Sequence, residues 1–139
     1  VESTIINLLS EPIILRFGGL DVSKIEKILK KKVLIKNNLK NKIAPGQFHL
    51  HYSPGIPLRM NVKKPNNNDA FVLLKKRKIT FKNYYYLSKK NDLKQAAKNL
   101  YSLLRKIKKD GYKTIAVEKI PNKGIGRTIN DRLNRASKY

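Results

Sequence analysis

One succession constrains this chain more than any other feature. A continuous apolar run, Ala70-Phe71-Val72-Leu73-Leu74, is followed by a long helical stripe and then by a second apolar run, Thr114-Ile115-Ala116-Val117. Between the runs Leu93, Ala96, Ala97, Leu100, Leu103, Leu104 and Ile107 recur at three- and four-residue spacing, which puts them on one face of a helix. Asn91 or Asp92 is placed to cap that helix, and Asp110-Gly111 to stop it. A strand, a crossover helix and a returning strand imply parallel pairing, because parallel neighbours need a long connection. Uninterrupted apolar strands suit a sheet covered on both faces. Leu58–Val62 alternates as a further strand, and Asn83–Leu87 reads as another. Gly124-Ile125-Gly126 leads into a last helix with Ile129, Leu133 and Ala136 on one face. The expected fold class is α/β, a layered domain with a mainly parallel sheet.

Upstream the chain has a different character. Pro12-Ile13-Ile14-Leu15 reads as a short strand ended by the turn Arg16-Phe17-Gly18-Gly19. Asp21 or Ser23 can then cap a short helix carrying Ile25, Ile28 and Leu29. From Lys27 to Asn68 there is no acidic residue, while ten basic ones occur. The stretch from Lys36 to Lys42 has too little apolar content to fold alone. The expected division is a tail of one domain over residues 1–32, a linker over 33–56 and a second domain over 57–139. Val1-Glu2-Ser3-Thr4-Ile5-Ile6 opens in mid-motif, without an initiator Met, so the chain is expected to be the last part of a larger enzyme.

Composition narrows the chemistry. With no cysteine, disulfide frameworks and thiolate metal sites are excluded. No apolar run approaches the roughly 20 residues that span a bilayer, and no signal peptide is visible. The expectation is a cytoplasmic protein without membrane contact. The net charge of +23 would attract polyanions by counterion release. Lysine supplies most of the basic residues, however, and with the asparagine runs it matches an A-rich codon bias without selection for binding. Weak, nonspecific nucleic-acid contact is the corresponding expectation. The nine acids show no paired spacing, and no Ser/His/Asp constellation marks hydrolytic chemistry, so no catalytic residue is assigned. His49 and His51 share a side in an extended chain, but two ligands make a poor metal site, and no metal ligand is assigned.

Four motifs carry a resemblance. Glu2-Ser3-Thr4-Ile5-Ile6, Ile14-Leu15-Arg16-Phe17-Gly18-Gly19, the linker pair Pro45-Gly46 and His51-Tyr52-Ser53-Pro54, and Gly124-Ile125-Gly126 through Ile129, Arg132 and Leu133 stand in order. Together the sequence resembles the two-domain form of the YrdC-type threonylcarbamoyl-AMP synthases. Phe17 departs from the family's usual proline, which would have fixed φ at that turn. Gln47–Leu50 also lack the basic residues that some members carry there. The resemblance implies a Rossmann-like accessory domain behind the tail of a YrdC-type catalytic domain. It implies that L-threonine and bicarbonate form a carbamate that attacks the α-phosphorus of ATP, releasing pyrophosphate. The adenylate would then supply threonylcarbamoyladenosine modification of tRNA through enzymes acting downstream. ATP enters as substrate, with Mg2+ bound through a domain ahead of Val1, and the 139 residues alone are expected to be inactive.

Residue roles follow from that resemblance, each beside a plainer reading. Ser3 and Thr4 offer short hydroxyls able to hydrogen-bond the threonine or carbamate end; alone, such a pair is ordinary polar surface. Arg16 precedes two glycines, and its planar fork suits an adenylate phosphate or ribose. His51 and Tyr52 would close over the nucleotide as a lid that excludes water, or simply pin the linker. Gly124-Ile125-Gly126-Arg127 could cradle an anion at a helix start, but capping and close packing explain it as well. Tyr84, Tyr85 and Tyr86 alternate across a strand, where packing is the plainer reading. A second function class, a non-catalytic basic module binding tRNA, rests on the charge and these tyrosines.

Overall fold

The computed structural model describes residues 2–35 and 53–137. His49, His51, Tyr52 and the Pro45-Gly46 turn lie outside them.

The amino-terminal part builds a small sheet. Strand β1 (Ile5–Asn7) runs antiparallel to β2 (Ile13–Arg16), and β3 (Leu34–Ile35) pairs parallel to β2. Helix α1 (Val22–Leu29) connects β2 to β3, capped by the Asp21 carboxylate, which accepts from Ser23 N–H at 3.1 Å. Ile14, Val22 and Val33 are buried together, with Phe17, Ile25 and Leu29 packed on them. Ile28, expected on the same stripe, is 81% exposed. Val22, Ile25 and Leu29 already fill the face turned to the sheet, and Ile28 lies off it. Val33 is buried here and Leu34–Ile35 are paired to β2, so the first residues of the expected linker sit against this unit.

The larger unit holds a four-stranded, all-parallel sheet in the order β4 (Leu58–Arg59), β7 (Thr114–Val117), β5 (Asp69–Leu73), β6 (Tyr84–Tyr86). Helix α2 (Leu93–Lys109) carries the chain from β6 back to β7, and α3 (Ile125–Ala136) follows β7 and packs on α2. The period-two alternation sorts the side chains. Ala70, Val72, Ile115 and Val117 face the helices and meet Ala96, Ala97, Leu100, Leu104, Ile107, Ile129 and Leu133. Phe71, Leu73 and Ala116 face the other way, under Val62, Tyr84 and Tyr86, with the Arg77 guanidinium 5.6 Å from the Phe71 ring. Every residue of β5 is buried, as its uninterrupted apolar run required.

Two departures from the sequence pattern have local causes. The alternation over Leu58–Val62 yields a strand of only two residues, because Asn61 takes φ of 58° and turns the backbone aside. Pairing resumes one residue later, where Val62 N–H donates to Val117 O at 2.9 Å. Leu103, counted in the α2 stripe, is half-buried and lines a groove beside β6 and Tyr112.

Asp69 ties the amino ends of this sheet together. It is buried at the start of β5 and accepts from Arg59 on β4, from Thr114 Oγ1 on β7 at 2.6 Å and from Asn66 N–H at 2.7 Å. All nine carboxylates of the chain lie among the described residues, and each is engaged. Asp21 and Asp92 cap helices, Glu2, Glu11, Glu26, Asp69, Asp110, Glu118 and Asp131 form ion pairs, and Glu26 and Glu118 also accept from backbone N–H groups. Asp110 accepts from Lys106 Nζ and from Tyr85 Oη, both at 2.7 Å. Those two bonds, the lysine's first, hold its carboxyl below the usual range.

Two outcomes are expected. Leu100→Ala removes a fully buried side chain from the centre of the α2 stripe and should cost about 2–5 kcal/mol in urea unfolding. Asp110 has a depressed folded-state pKa, so its contribution is complete above the ordinary value of 3.8 and is lost as pH falls through the folded value. Thermal melts of Asp110→Asn should therefore lie below the parent near pH 7 and converge with it in acid; a gap independent of pH counts against this.

Candidate functional site

The site forms where the first residues of the chain fold back on the turn that ends β2. Ile5 pairs with Arg16, and the register shifts between Ile5 and Ile6, so Glu2-Ser3-Thr4 run beside the turn without a regular ladder. Specific bonds hold them instead. Gly19 N–H donates to Glu2 O at 2.9 Å, Arg16 Nε donates to Ser3 O at 3.1 Å, and Gly18 N–H donates to Thr4 Oγ1 at 3.1 Å. Thr4 Oγ1 itself donates to Leu20 O at 2.7 Å.

These bonds give the three candidate residues different availability. Ser3 is exposed, with its backbone fixed from both sides. The Thr4 hydroxyl has spent its only proton on Leu20 and one lone pair on Gly18, so a single acceptor position is left for a ligand. Arg16 is half-buried, with Nε committed to Ser3 O. The structure thus brings Ser3, Thr4 and Arg16 to one turn. His51 and Tyr52 fall outside the described residues.

Gly18 makes this closeness possible. A Cβ at that position would lie 2.2 Å from the Ser3 carbonyl carbon and from Thr4 N, and 2.4 Å from Glu2 O. All three neighbours are backbone, which cannot swing away as a long side chain would.

Helix α3 completes the site from the other unit. Thr128 Oγ1 donates to Gly18 O at 2.7 Å in a buried contact, and Arg132 forms an ion pair with Glu2. Arg132 is 2% exposed and its guanidinium lies 5.4 Å from the Tyr101 ring of α2. Burial pushes its pKa down from the usual arginine value. Sequence reasoning gave Arg132 and Thr128 no contact role. The signal was present for the arginine: it stands three residues after Ile129, on the same side as the stripe Ile129, Leu133, Ala136, where a charge needs a partner. The Gly124-Ile125-Gly126 turn serves packing, since a Cβ on Gly126 would lie 2.0 Å from Pro121 O.

Between the Arg16–Gly18 turn, the carboxyl ends of β4 and β7 and the face of α3 lies a cleft of about 500 Å3. Phe17, Met60, Asn61, Lys119, Arg127 and Asn130 are among its walls. Ligands of open parallel sheets bind at this carboxyl edge. Among the described residues no group of three or more histidines, cysteines or carboxylates is placed to hold a metal ion. No described helix is long and apolar enough to cross a membrane.

Comparison with known proteins bears on the family and the fold. The family model described as threonylcarbamoyl-AMP synthase, C-terminal domain, matches residues 20–138. The chain belongs to that family. A threonylcarbamoyl-AMP synthase of Pyrococcus abyssi (strain GE5 / Orsay) is 28% identical over 160 residues, covering 100% of this chain and 46% of the relative. One of Bacillus subtilis (strain 168) is 27% identical over 157 residues, covering 99% and 45%. The chain thus spans just under half the length of these relatives. The crystal structure of P. abyssi Sua5 complexed with L-threonine superposes with a TM-score of 0.79 at 26% identity, over 99% of this chain and 46% of that one.

Gly18→Ala should loosen the whole turn. The expected cost exceeds the ~1 kcal/mol of an average substitution, read by urea unfolding, and backbone amide exchange should rise at Gly18 and Gly19, whose N–H groups make two of the bonds.

Proposed function

We propose that this chain is the C-terminal part of an L-threonylcarbamoyladenylate synthase acting in the cytoplasm. In the whole protein L-threonine and bicarbonate condense to a carbamate with loss of water. A carbamate oxygen then attacks the α-phosphorus of ATP, the bond to the β-phosphate oxygen breaks, and pyrophosphate leaves. The product is threonylcarbamoyl-AMP, which downstream enzymes use to modify tRNA.

The observation that carries this reading is the meeting of Ser3, Thr4 and Arg16 at one turn, in a family whose P. abyssi member has been crystallised with L-threonine. The exposed Ser3 hydroxyl is suited to hydrogen-bond the threonine or carbamate end, and the remaining Thr4 lone pair can accept from the amino group. The Arg16 fork is suited to the negative charge of an adenylate phosphate, where a planar, permanently charged group gives orientation as well as attraction. His51 and Tyr52 of the linker would close over the nucleotide and keep water from the mixed anhydride. Mg2+ would come with the ATP phosphates through residues ahead of Val1, and the residues described here carry no step through it. The accessory domain does no chemistry in this scheme.

Full-length protein supplied with ATP, bicarbonate and L-threonine should release pyrophosphate and form threonylcarbamoyl-AMP. Ser3→Ala should raise the threonine KM, and Arg16→Ala should lower kcat/KM for ATP by ~10-fold or more, consistent with loss of a charge-assisted contact. Pyrophosphate release that ignores threonine would sink the reading. Residues 1–139 alone should form no adenylate.

A further inference from the structure

We propose that Arg132 and Thr128 of α3 are positioning residues for Ser3, so that the accessory domain sets threonine affinity through two buried contacts one helical turn apart. This rests on the functional reading above, in which Ser3 meets the threonine end of the substrate.

The Glu2–Thr4 segment precedes β1 and follows no regular ladder, so strand pairing does not fix its height. What fixes it is a set of point contacts, and among the described residues α3 supplies two of them from outside the first unit. Arg132 holds the Glu2 carboxylate, on the residue just before Ser3. Thr128 holds Gly18 O, on the residue whose missing Cβ lets the turn press against the Ser3–Thr4 peptide. Positions 128 and 132 lie one turn apart on the same face of α3. They therefore grip the segment that leads into β1, at Glu2, and the turn that leaves β2, at Gly18.

The grip is stiff at its far end. Ile129, Leu133 and Ala136 are fully buried against the sheet and α2, which leaves α3 little room to slide. Arg132 is itself enclosed, with Tyr101 of α2 on one side and Glu2 on the other. A displacement of α3 is thus passed to Ser3 through a carboxylate and a single peptide bond. Ser3 is the exposed residue of the tripeptide, while its backbone carbonyl is held by Arg16 Nε. Misplacement by about 1 Å is enough to cost a substrate contact much of its value.

The contacts could instead serve only to glue the units together, and the kinetic constants separate these roles. In the full-length protein, Arg132→Lys keeps the charge but loses the fork, and Thr128→Val keeps the shape but loses the donor. Each should raise the threonine KM ~10-fold while the ATP KM moves by less than ~2-fold. Thr128→Val guards against a fold lost with the buried arginine, and melting temperature is recorded for both. Threonine and ATP constants that shift together, or threonine constants that do not shift in a folded variant, would overturn the proposal. If the parent protein forms no threonylcarbamoyl-AMP, the functional reading fails first. The positioning role is then read from amide exchange at Ser3, Thr4 and Gly19: faster exchange in Thr128→Val supports it, and unchanged exchange ends it.

Discussion

The structure depends on burying β5 from both sides while keeping it parallel to both neighbours. Five consecutive buried residues leave no face for water, so one layer comes from the helices and the other from Val62 and the β6 tyrosines Tyr84 and Tyr86. Parallel pairing of β6 and β7 around that strand demands a long return path, and α2 is that path. Once α2 lies on the sheet, α3 packs on α2, and its Thr128 meets the turn at Gly18. The position of the candidate site is in this sense a consequence of how the central strand is covered.

Asp69 shows how the sheet closes at its opposite end. Taking a carboxylate out of water is costly unless it is paired and hydrogen-bonded. Here Arg59, Thr114 and the Asn66 backbone each come from a different segment, so the charge is satisfied only when β4, β5 and β7 are in register. A polar group of this kind specifies one arrangement of strands among several that would bury the same apolar area.

Much of this was legible in the residues. The α2 stripe, its Asp92 cap and the strand Thr114–Val117 follow from periodicity and capping alone, because apolar spacing and cap chemistry are local properties. The truncation of β4 at Asn61 was not legible, since alternation persists through a residue whose backbone turns. Ile28 likewise matches a helical spacing yet points outward, because an eight-residue helix on a three-stranded sheet has only one face to bury. At the site, Ser3, Thr4 and Arg16 could be picked out by motif, but the mutual bonds that commit the Thr4 hydroxyl depend on a hairpin closing over thirteen to sixteen residues. The partnership of Glu2 with Arg132 spans almost the whole chain. No local pattern announces a contact of that range.

The engagement of every carboxylate has an effect on how the molecule meets its solvent. Nine anions already committed to caps and pairs leave an excess of +23 with nothing inside the chain to neutralise it. Electroneutrality must then be met by mobile anions gathered from the surrounding electrolyte, and the lysine-covered exterior acts as an ion atmosphere as much as a surface. The repulsion that this stretch of chain adds between neighbouring copies weakens as salt contracts that atmosphere.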